Sequence, residues 1–409
     1  MPMSSPLIPR LPVFGWSTFT GAAEAKLPCM LSLAGAAYTT SGRASILLAL
    51  EALGIGPGDC VLLPTYHCPT MVAPVVHLNA TPLFYPIDET GAPLLAWMDS
   101  QVFSRVRVLL VAHLFGLPQP MANLRRWCDD KGIALLEDCA HALFGQSGDR
   151  PIGAWGDMAI GSLTKFLPMS AGGCLVSNTT LAAPSLTRAS VGAGSRVVFD
   201  AVEVAARHGR LAGLNGLVTG LLSAARAARS TRSSGAAESL EAQAEKPSTP
   251  DLGALGGIDA SLAHRSLPRV GRWMASGIPR ERIVALRRTR YRELAQRLAG
   301  RPGLRPLLPV LPEHCAPYVF PLWVDHPDPG YAKLRELRMP VSRWDWLWPG
   351  VPHIDGDQGL IWSHHVLQLA CHQDITESDL DRFVAVLLET YSVAPTAPTQ
   401  RLGSALHNA

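Results

Sequence analysis

Short apolar runs alternate along the chain with segments of helical periodicity. Ile46, Leu47, Leu50 and Leu53 recur at helical spacing behind Thr40-Ser41-Gly42, a capping segment, which predicts a helix from Arg43 to Leu53. Gly56-Pro57-Gly58-Asp59 reads as a turn, and Val61-Leu62-Leu63-Pro64 as a buried strand ending at its proline. The alternation continues with a helical stretch around Thr70–Leu78 and a strand at Thr81–Tyr85. A strand at Val106–His113, a helix at Met121–Lys131 and a strand at Ile133–Glu137 follow. Short apolar strands separated by helices predict an α/β fold with a mainly parallel sheet. Ligands of such sheets gather at the carboxyl ends of strands, where this pattern puts His113 and Asp138.

Regularity is lost after about residue 205. Leu211–Arg229 has the pattern of a basic amphipathic helix, and residues 229–257, rich in Ser, Ala, Gly, Glu and Arg, read as a flexible insertion. Arg280–Leu298 predicts a long helix carrying Arg287, Arg288 and Tyr291. A strand at Tyr318–Val324, a tryptophan-rich stretch at Trp344–Trp348 and a last helix at Glu377–Tyr391 suggest a smaller α/β domain. The expected division is a large domain over 1–204, a partly flexible insertion over 205–257, connecting helices over 258–304, a small domain over 305–392, and a loose tail over 393–409.

Composition narrows the class. Hydrophobic residues make up 47% of 409 residues, enough for a large core in two or three domains, and charged residues only 17%. A net charge of +3 gives no case for a nucleic-acid protein. No uncharged apolar run reaches the roughly 18 residues of a membrane span, and no signal-peptide pattern opens the chain. The eight cysteines include no CxxC pair and are expected to be reduced and buried, with no metal site, in a cytoplasmic protein. The basic helix is expected to pack on the body or to be partly disordered rather than to rest on a membrane.

Lysine is scarce: Lys26, Lys131, Lys165, Lys246 and Lys333 stand against a large excess of arginine. A lysine in an apolar setting needs its own explanation, because arginine does not lose its proton to become a nucleophile. Lys165 lies in Gly161-Ser162-Leu163-Thr164-Lys165-Phe166-Leu167-Pro168, followed by Gly172-Gly173 and an apolar strand. An aldehyde cofactor needs such a set: an amine, a hydroxyl for phosphate and close backbone approach. Taken alone, the segment fits a surface lysine in a loop equally well. Asp138, at the end of a buried strand, is costly without a positive partner; it also fits a helix N-cap, and His141 a helical histidine with its needs met locally. Thr40-Ser41-Gly42-Arg43-Ala44-Ser45 offers an anion site at a helix N-terminus, a feature many helices share.

In combination and order these segments resemble the DegT/StrS sugar-aminotransferase family of fold type I enzymes that use pyridoxal 5′-phosphate (PLP). The resemblance runs through Ser41-Gly42-Arg43-Ala44-Ser45, Leu53–Asp59, Ala80-Thr81-Pro82, Ala112-His113-Leu114-Phe115-Gly116, Glu137-Asp138-Cys139-Ala140-His141, Gly153-Ala154-Trp155-Gly156-Asp157, the lysine segment and Gly172-Gly173. Weaker similarity returns at Arg287–Tyr291 and at Leu369–Asp374. It implies that Lys165 is the Schiff-base and proton-transfer lysine, Asp138 the partner of the pyridine nitrogen, and His141 a neighbour of the ring hydroxyl. It implies a phosphate cradle at Gly42, Arg43 and Ala44 with Ser162, and a homodimer. Cys68 stands where the family often has a ring stacked on the cofactor; either His67 takes that role or Cys68 packs there. The family's Asn-x-Arg loop after the glycine pair is missing.

Arg343 could hold a substrate carboxylate or phosphate and Trp344 could line a substrate wall; core packing with a surface arginine is the alternative. The expected activity is transfer of an amino group from an amino-acid donor to a keto acceptor, a keto-sugar nucleotide by resemblance. A different PLP reaction (dehydration, decarboxylation or aryl-amine formation) and a non-catalytic regulatory homologue are the alternatives.

Overall fold

A computed structural model describes residues 7–21, 26–181, 184–216, 218, 220 and 258–392. The strands are β1 (Ala37–Thr39), β2 (Cys60–Pro64), β3 (Thr81–Tyr85), β4 (Val106–Ala112), β5 (Ala134–Asp138), a two-residue pair β6 (Gln146–Ser147) and β7 (Arg150–Pro151), β8 (Met158–Ser162) and β9 (Gly173–Ser177). A second set comprises β10 (Leu304–Pro306), β11 (Val319–Val324), β12 (Val341–Ser342) and β13 (Val366–Ala370). The helices are α1 (Gly42–Ala52), α2 (Pro69–His77), α3 (Leu95–Asp99), α4 (Met121–Lys131), α5 (Val191–Arg207), α6 (Ala260–Ala263), α7 (Arg269–Gly277), α8 (Arg280–Leu298), α9 (Gly330–Glu336), α10 (Gly359–His365) and α11 (Glu377–Ser392).

The larger sheet has the order β1-β9-β8-β5-β4-β2-β3. Its pairings from β3 through β8 are parallel, as the alternating pattern predicts, while β8–β9 and β9–β1 are antiparallel. The change of direction has a local cause: β8 and β9 are joined by the short segment 163–172, with no room for the helical crossover a parallel pair requires. Lys165 lies on that connection, in the single 3₁₀ turn Leu163–Lys165. Gly172 donates its N–H to Thr40 O at 2.8 Å, and a Cβ on Gly173 would lie 2.3 Å from Ser41 O. The glycine pair therefore lets the strand after the lysine run directly against the segment that starts α1.

Helix α1 begins at Ser41, whose hydroxyl accepts from Ala44 N–H at 3.1 Å, and Ala44 to Leu50 are buried without a break. It is enclosed between the sheet and α2, as expected of a helix with no polar face. The four-stranded sheet, β10-β11-β13-β12, is antiparallel throughout. It shares one core with the larger sheet: Leu109 and Val111 of β4, Phe320 of β11, Tyr291 and Leu294 of α8, and Phe383 and Leu387 of α11. Burial of that apolar surface is the main force holding the two sheets together.

The boundaries of α4 and α8 agree with the sequence pattern, and β5 lies one residue later than predicted, which puts Asp138 inside the strand. Helix α5 has no counterpart in the sequence reading, because its glycines and exposed valine dilute the apolar stripe. The expected basic helix over 211–229 and the insertion up to 257 fall, past residue 220, outside the described residues, as does the tail over 393–409. Among the described residues, no helix is long and apolar enough to cross a membrane.

Candidate active site

Successive strand residues face opposite sides of a sheet, and this separates Glu137 from Asp138. Glu137 accepts from the N–H groups of Gly153, Trp155 and Gly156 and from His113 Nε2, the last at 2.9 Å. Burial pushes its carboxyl up, but these bonds outweigh burial and hold it low. His113, Glu137 and Cys139 lie close enough to share a metal, yet His113 Nδ1 accepts from Gln119 N–H and the carboxylate is fully engaged. This cluster is a structural peg that ties the 153–156 turn to the sheet.

Asp138 faces the other way, at the carboxyl end of β5. One of its oxygens accepts from Ala140 N–H at 2.8 Å. Burial raises its pKa; the Ala140 bond and the charge of Lys165 only partly offset this. A carboxylate in this setting favours an additional cation beside it.

His141 is buried, and its Nδ1 lies 3.3 Å from Phe115 N–H. A backbone N–H only donates, so Nδ1 is the acceptor and Nε2 carries the proton. Burial, then the charge of Lys165, hold the imidazole pKa well below its usual value, so it is neutral. Phe115 reaches this position through a left-handed backbone (φ 59°), unusual for a residue with a side chain. Gly116 follows with φ 92°, and a Cβ there would meet Tyr318 N at 2.5 Å and His141 O at 2.7 Å. The residues 113–116 thus lock His141 against the segment entering β11.

That segment brings Tyr318, whose ring lies 4.3 Å from the His141 ring and 5.2 Å from Lys165 Nζ. Trp344 closes the same side, 5.2 Å from His141 and 5.0 Å from Tyr66. On the opposite side, α1 presents its N-terminus: a Cβ on Gly42 would lie 3.3 Å from Ser162 Cβ. Ser162 Oγ lies 3.3 Å from Thr164 Oγ1, and Cys68 is near enough to Arg43 to be felt electrostatically. Cys68 is half-buried, with Sγ 3.0 Å from Thr70 Oγ1.

Lys165, Asp138, His141 and Trp344 therefore come together at the carboxyl end of β5, and Gly42 meets Ser162 at the carboxyl end of β8; Arg43 and Ala44 follow Gly42 on α1, and Cys68 lies near Arg43. Two expected members do not join them. His67 is fully buried, stacked on Phe84 at 5.0 Å, with Nδ1 donating to Pro64 O and Thr65 O and Nε2 accepting from Trp348 N–H. With both nitrogens and a ring face taken, it supports the tryptophan stretch and has no surface for a cofactor. Arg343 is paired with Asp328 at 2.7 Å and Asp345 at 3.2 Å and lies over the Tyr331 ring. Two carboxylates of the chain already answer its charge, which corrects the expectation that it holds a substrate anion. Tyr318, Phe115 and Gln373 are neighbours that the sequence reading did not single out.

The donor set suits PLP. A glycine-opened helix N-terminus with a hydroxyl is chemistry for phosphate, a buried carboxylate lacking a full counter-charge is chemistry for a protonated pyridine, and a neutral N–H donor suits a phenolic oxygen. The fold is that of the fold type I aminotransferases: a larger, mainly parallel sheet with a smaller antiparallel one packed beside it. Residues 21–203 carry the pattern of one family in particular, matching the model of the DegT/DnrJ/EryC1/StrS aminotransferase family.

Among its relatives, the chain is 32% identical over 138 residues to a UDP-N-acetyl-3-dehydro-alpha-D-glucosamine 3-aminotransferase of Acidithiobacillus ferrooxidans, covering 34% of this chain and 37% of that one. It is 28% identical over 185 residues to the GDP-perosamine synthase of Vibrio cholerae, covering 44% and 50%. The matches thus span only about a third to a half of these relatives' length. Likeness of fold extends further. The aminotransferase TlmJ from Streptoalloteichus hindustanus superposes with a TM-score of 0.59 at 18% identity, over 88% of this chain and 86% of that one. DesV of S. venezuelae does so at 0.57 and 20% identity, over 88% and 85%.

Proposed function

We propose that this chain is a PLP-dependent aminotransferase that carries an amino group from an amino-acid donor to the carbonyl of a keto acceptor, a keto-sugar nucleotide. The observation that carries the reading is the convergence of Lys165, Asp138 and neutral His141 beside the N-terminus of α1. When bound, PLP supplies an electron sink that makes the substrate Cα–H acidic. Asp138 would keep the ring nitrogen protonated, and His141 would donate its Nε2–H to the ring oxygen. Gly42, Arg43, Ala44 and Ser162 would hold the phosphate. Lys165 would anchor the cofactor and then, released as a free amine, move the proton at the substrate carbon. Tyr318 and Trp344 would exclude water from that transfer. The keto-sugar acceptor is favoured by the names of the relatives. We infer also that the protein works as a homodimer in the cytoplasm.

Purified protein with PLP should show a visible absorbance band that borohydride abolishes while fixing the cofactor to Lys165, and Lys165→Ala should lack the band. Amino donors should bleach the band, and a keto-sugar nucleotide should restore it. A wild-type protein that never binds PLP refutes the cofactor assignment; one that binds PLP but is bleached by no amino donor refutes the aminotransferase.

A further inference from the structure

Helix α8 carries two adjacent arginines, Arg287 and Arg288, that are both buried. A guanidinium is costly to take out of water and usually pairs with a carboxylate. Among the described residues, neither arginine forms an ion pair; each bonds backbone carbonyls instead. Arg288 Nη1 donates to Pro312 O, Glu313 O and Cys315 O at 2.7–2.9 Å. Arg287 donates through Nη1 to Pro317 O and Tyr318 O at 3.0 and 3.1 Å, and through Nη2 to Lys165 O at 2.6 Å. Its Nε donates to Gln373 Oε1 at 2.9 Å, and its plane covers the Phe166 ring at 4.3 Å. Gln373, also buried, donates through Nε2 to Phe166 O at 2.8 Å.

The pattern is a clamp with two jaws. One jaw grips the carbonyls of Lys165 and Phe166, on the short connection between β8 and β9. The other grips the carbonyls of Pro317 and Tyr318, just before β11. The planar fork of one guanidinium spans both, which the point charge of a lysine does not. The side chains carried by the two jaws are the amine of Lys165 and the ring that faces it at 5.2 Å. Burial lowers the Arg287 pKa to about 10, so the group keeps its charge at neutral pH.

We propose that Arg287 and Gln373 are positioning residues for Lys165, holding its backbone in register with Tyr318 so that the amine stays beside Asp138 and His141. The proposal rests on the PLP reading above. It assigns the clamp to one event, capture of the cofactor aldehyde, in which the Lys165 amine condenses with the aldehyde and one water leaves. Binding of the phosphate and ring does not depend on it.

Two cofactor forms separate these contributions. Pyridoxamine 5′-phosphate has the same ring and phosphate as PLP but no aldehyde for Lys165. Apoprotein is titrated with each form, following protein fluorescence, for the wild type, Lys165→Ala, Arg287→Met and Gln373→Leu. Lys165→Ala sets the ratio of the two affinities when capture is lost. Arg287→Met should weaken PLP roughly tenfold, and Gln373→Leu about threefold, as expected for loss of charge-assisted and neutral hydrogen bonds respectively. Both should leave pyridoxamine 5′-phosphate within about twofold of wild type, moving the ratio toward that of Lys165→Ala. Equal weakening of the two forms would mean general damage to the site and overturn the proposal, as would unchanged PLP affinity. Should Arg287→Met fail to fold, Gln373→Leu decides the question alone. A wild type that binds neither form refutes the cofactor reading itself, a result distinct from either variant outcome.

Discussion

Acid should release the tryptophan stretch from the body of the protein, and His67 is the group through which it does so. Both His67 nitrogens have fixed roles: Nδ1 faces two carbonyls, at 3.0 and 3.1 Å, and must donate, whereas Nε2 accepts from Trp348 N–H at 3.0 Å. A proton on Nε2 would set two donors against each other inside the protein. Burial accordingly lowers the His67 pKa to about 4, although the two carbonyls pull it up. The unfolded value is about 6.5, so the folded state resists the proton that the unfolded state accepts. A depressed histidine contributes stability that is complete above the unfolded pKa and is lost as pH falls through the folded one. Linkage gives a loss of about 2 kcal/mol between pH 7 and 5, rising to about 3 kcal/mol below pH 4. His67→Phe keeps a ring against Phe84 and removes the titration. Urea unfolding of the apoprotein at pH 7 and pH 5 should show wild type losing about 2 kcal/mol more than the variant. Subtracting the variant cancels the other histidines. The same pH dependence in both proteins would refute the reasoning.

Two further perturbations test the site's electrostatics. Because burial raises the pKa of Asp138, its carboxyl contributes stability that is lost as pH rises through the folded value, and an uncharged amide in its place escapes that loss. Asp138→Asn should leave apoprotein melting at pH 7 equal to or above wild type while weakening PLP on the order of tenfold or more; a melting temperature lower by more than about 4 °C would contradict this. Arg343→Gln should leave the acceptor KM within about twofold, because its guanidinium is committed to exposed partners in pairs worth at most about 1 kcal/mol. Trp344→Ala, which removes a ring 5.2 Å from His141, should cut kcat/KM roughly tenfold. Steady-state kinetics on both variants decides, and a large KM rise in Arg343→Gln would restore it as an anion clamp.

Local chemistry made much of the larger sheet and one side of the site legible in the sequence. Strand β2 and the apolar stretches Val108–Val111 of β4 and Leu135-Leu136 of β5 are legible because both faces of these inner strands are covered, whereas edge strand β3 is partly exposed, and α4 and α8 keep helical periodicity from end to end. Lys165, Asp138, His141 and the opening of α1 announced themselves because each is a residue type whose presence in an apolar or glycine-rich setting needs a chemical reason. Their roles could be read only in combination, since a lysine loop, an N-capping aspartate and a Ser-Gly helix start are each commonplace.

What the chain order could not disclose is which partners meet across long separations. His67 and Arg343 were reasonable candidates by neighbourhood in sequence, yet His67 is claimed by Trp348 and Phe84, and Arg343 by Asp328 and Asp345. Tyr318 carries no motif of its own; the left-handed turn at Phe115 and Gly116 brings it to His141. Arg287 and Gln373 look in sequence like part of a basic helix and part of a loop, and only folding turns both onto the carbonyls of the lysine connection. Residue type and spacing determine which groups can do the chemistry, because those are properties of single side chains and short segments. The geometry that assigns them depends on polar groups of side chains and backbone 86 to 281 residues apart becoming buried together, where each must find a partner.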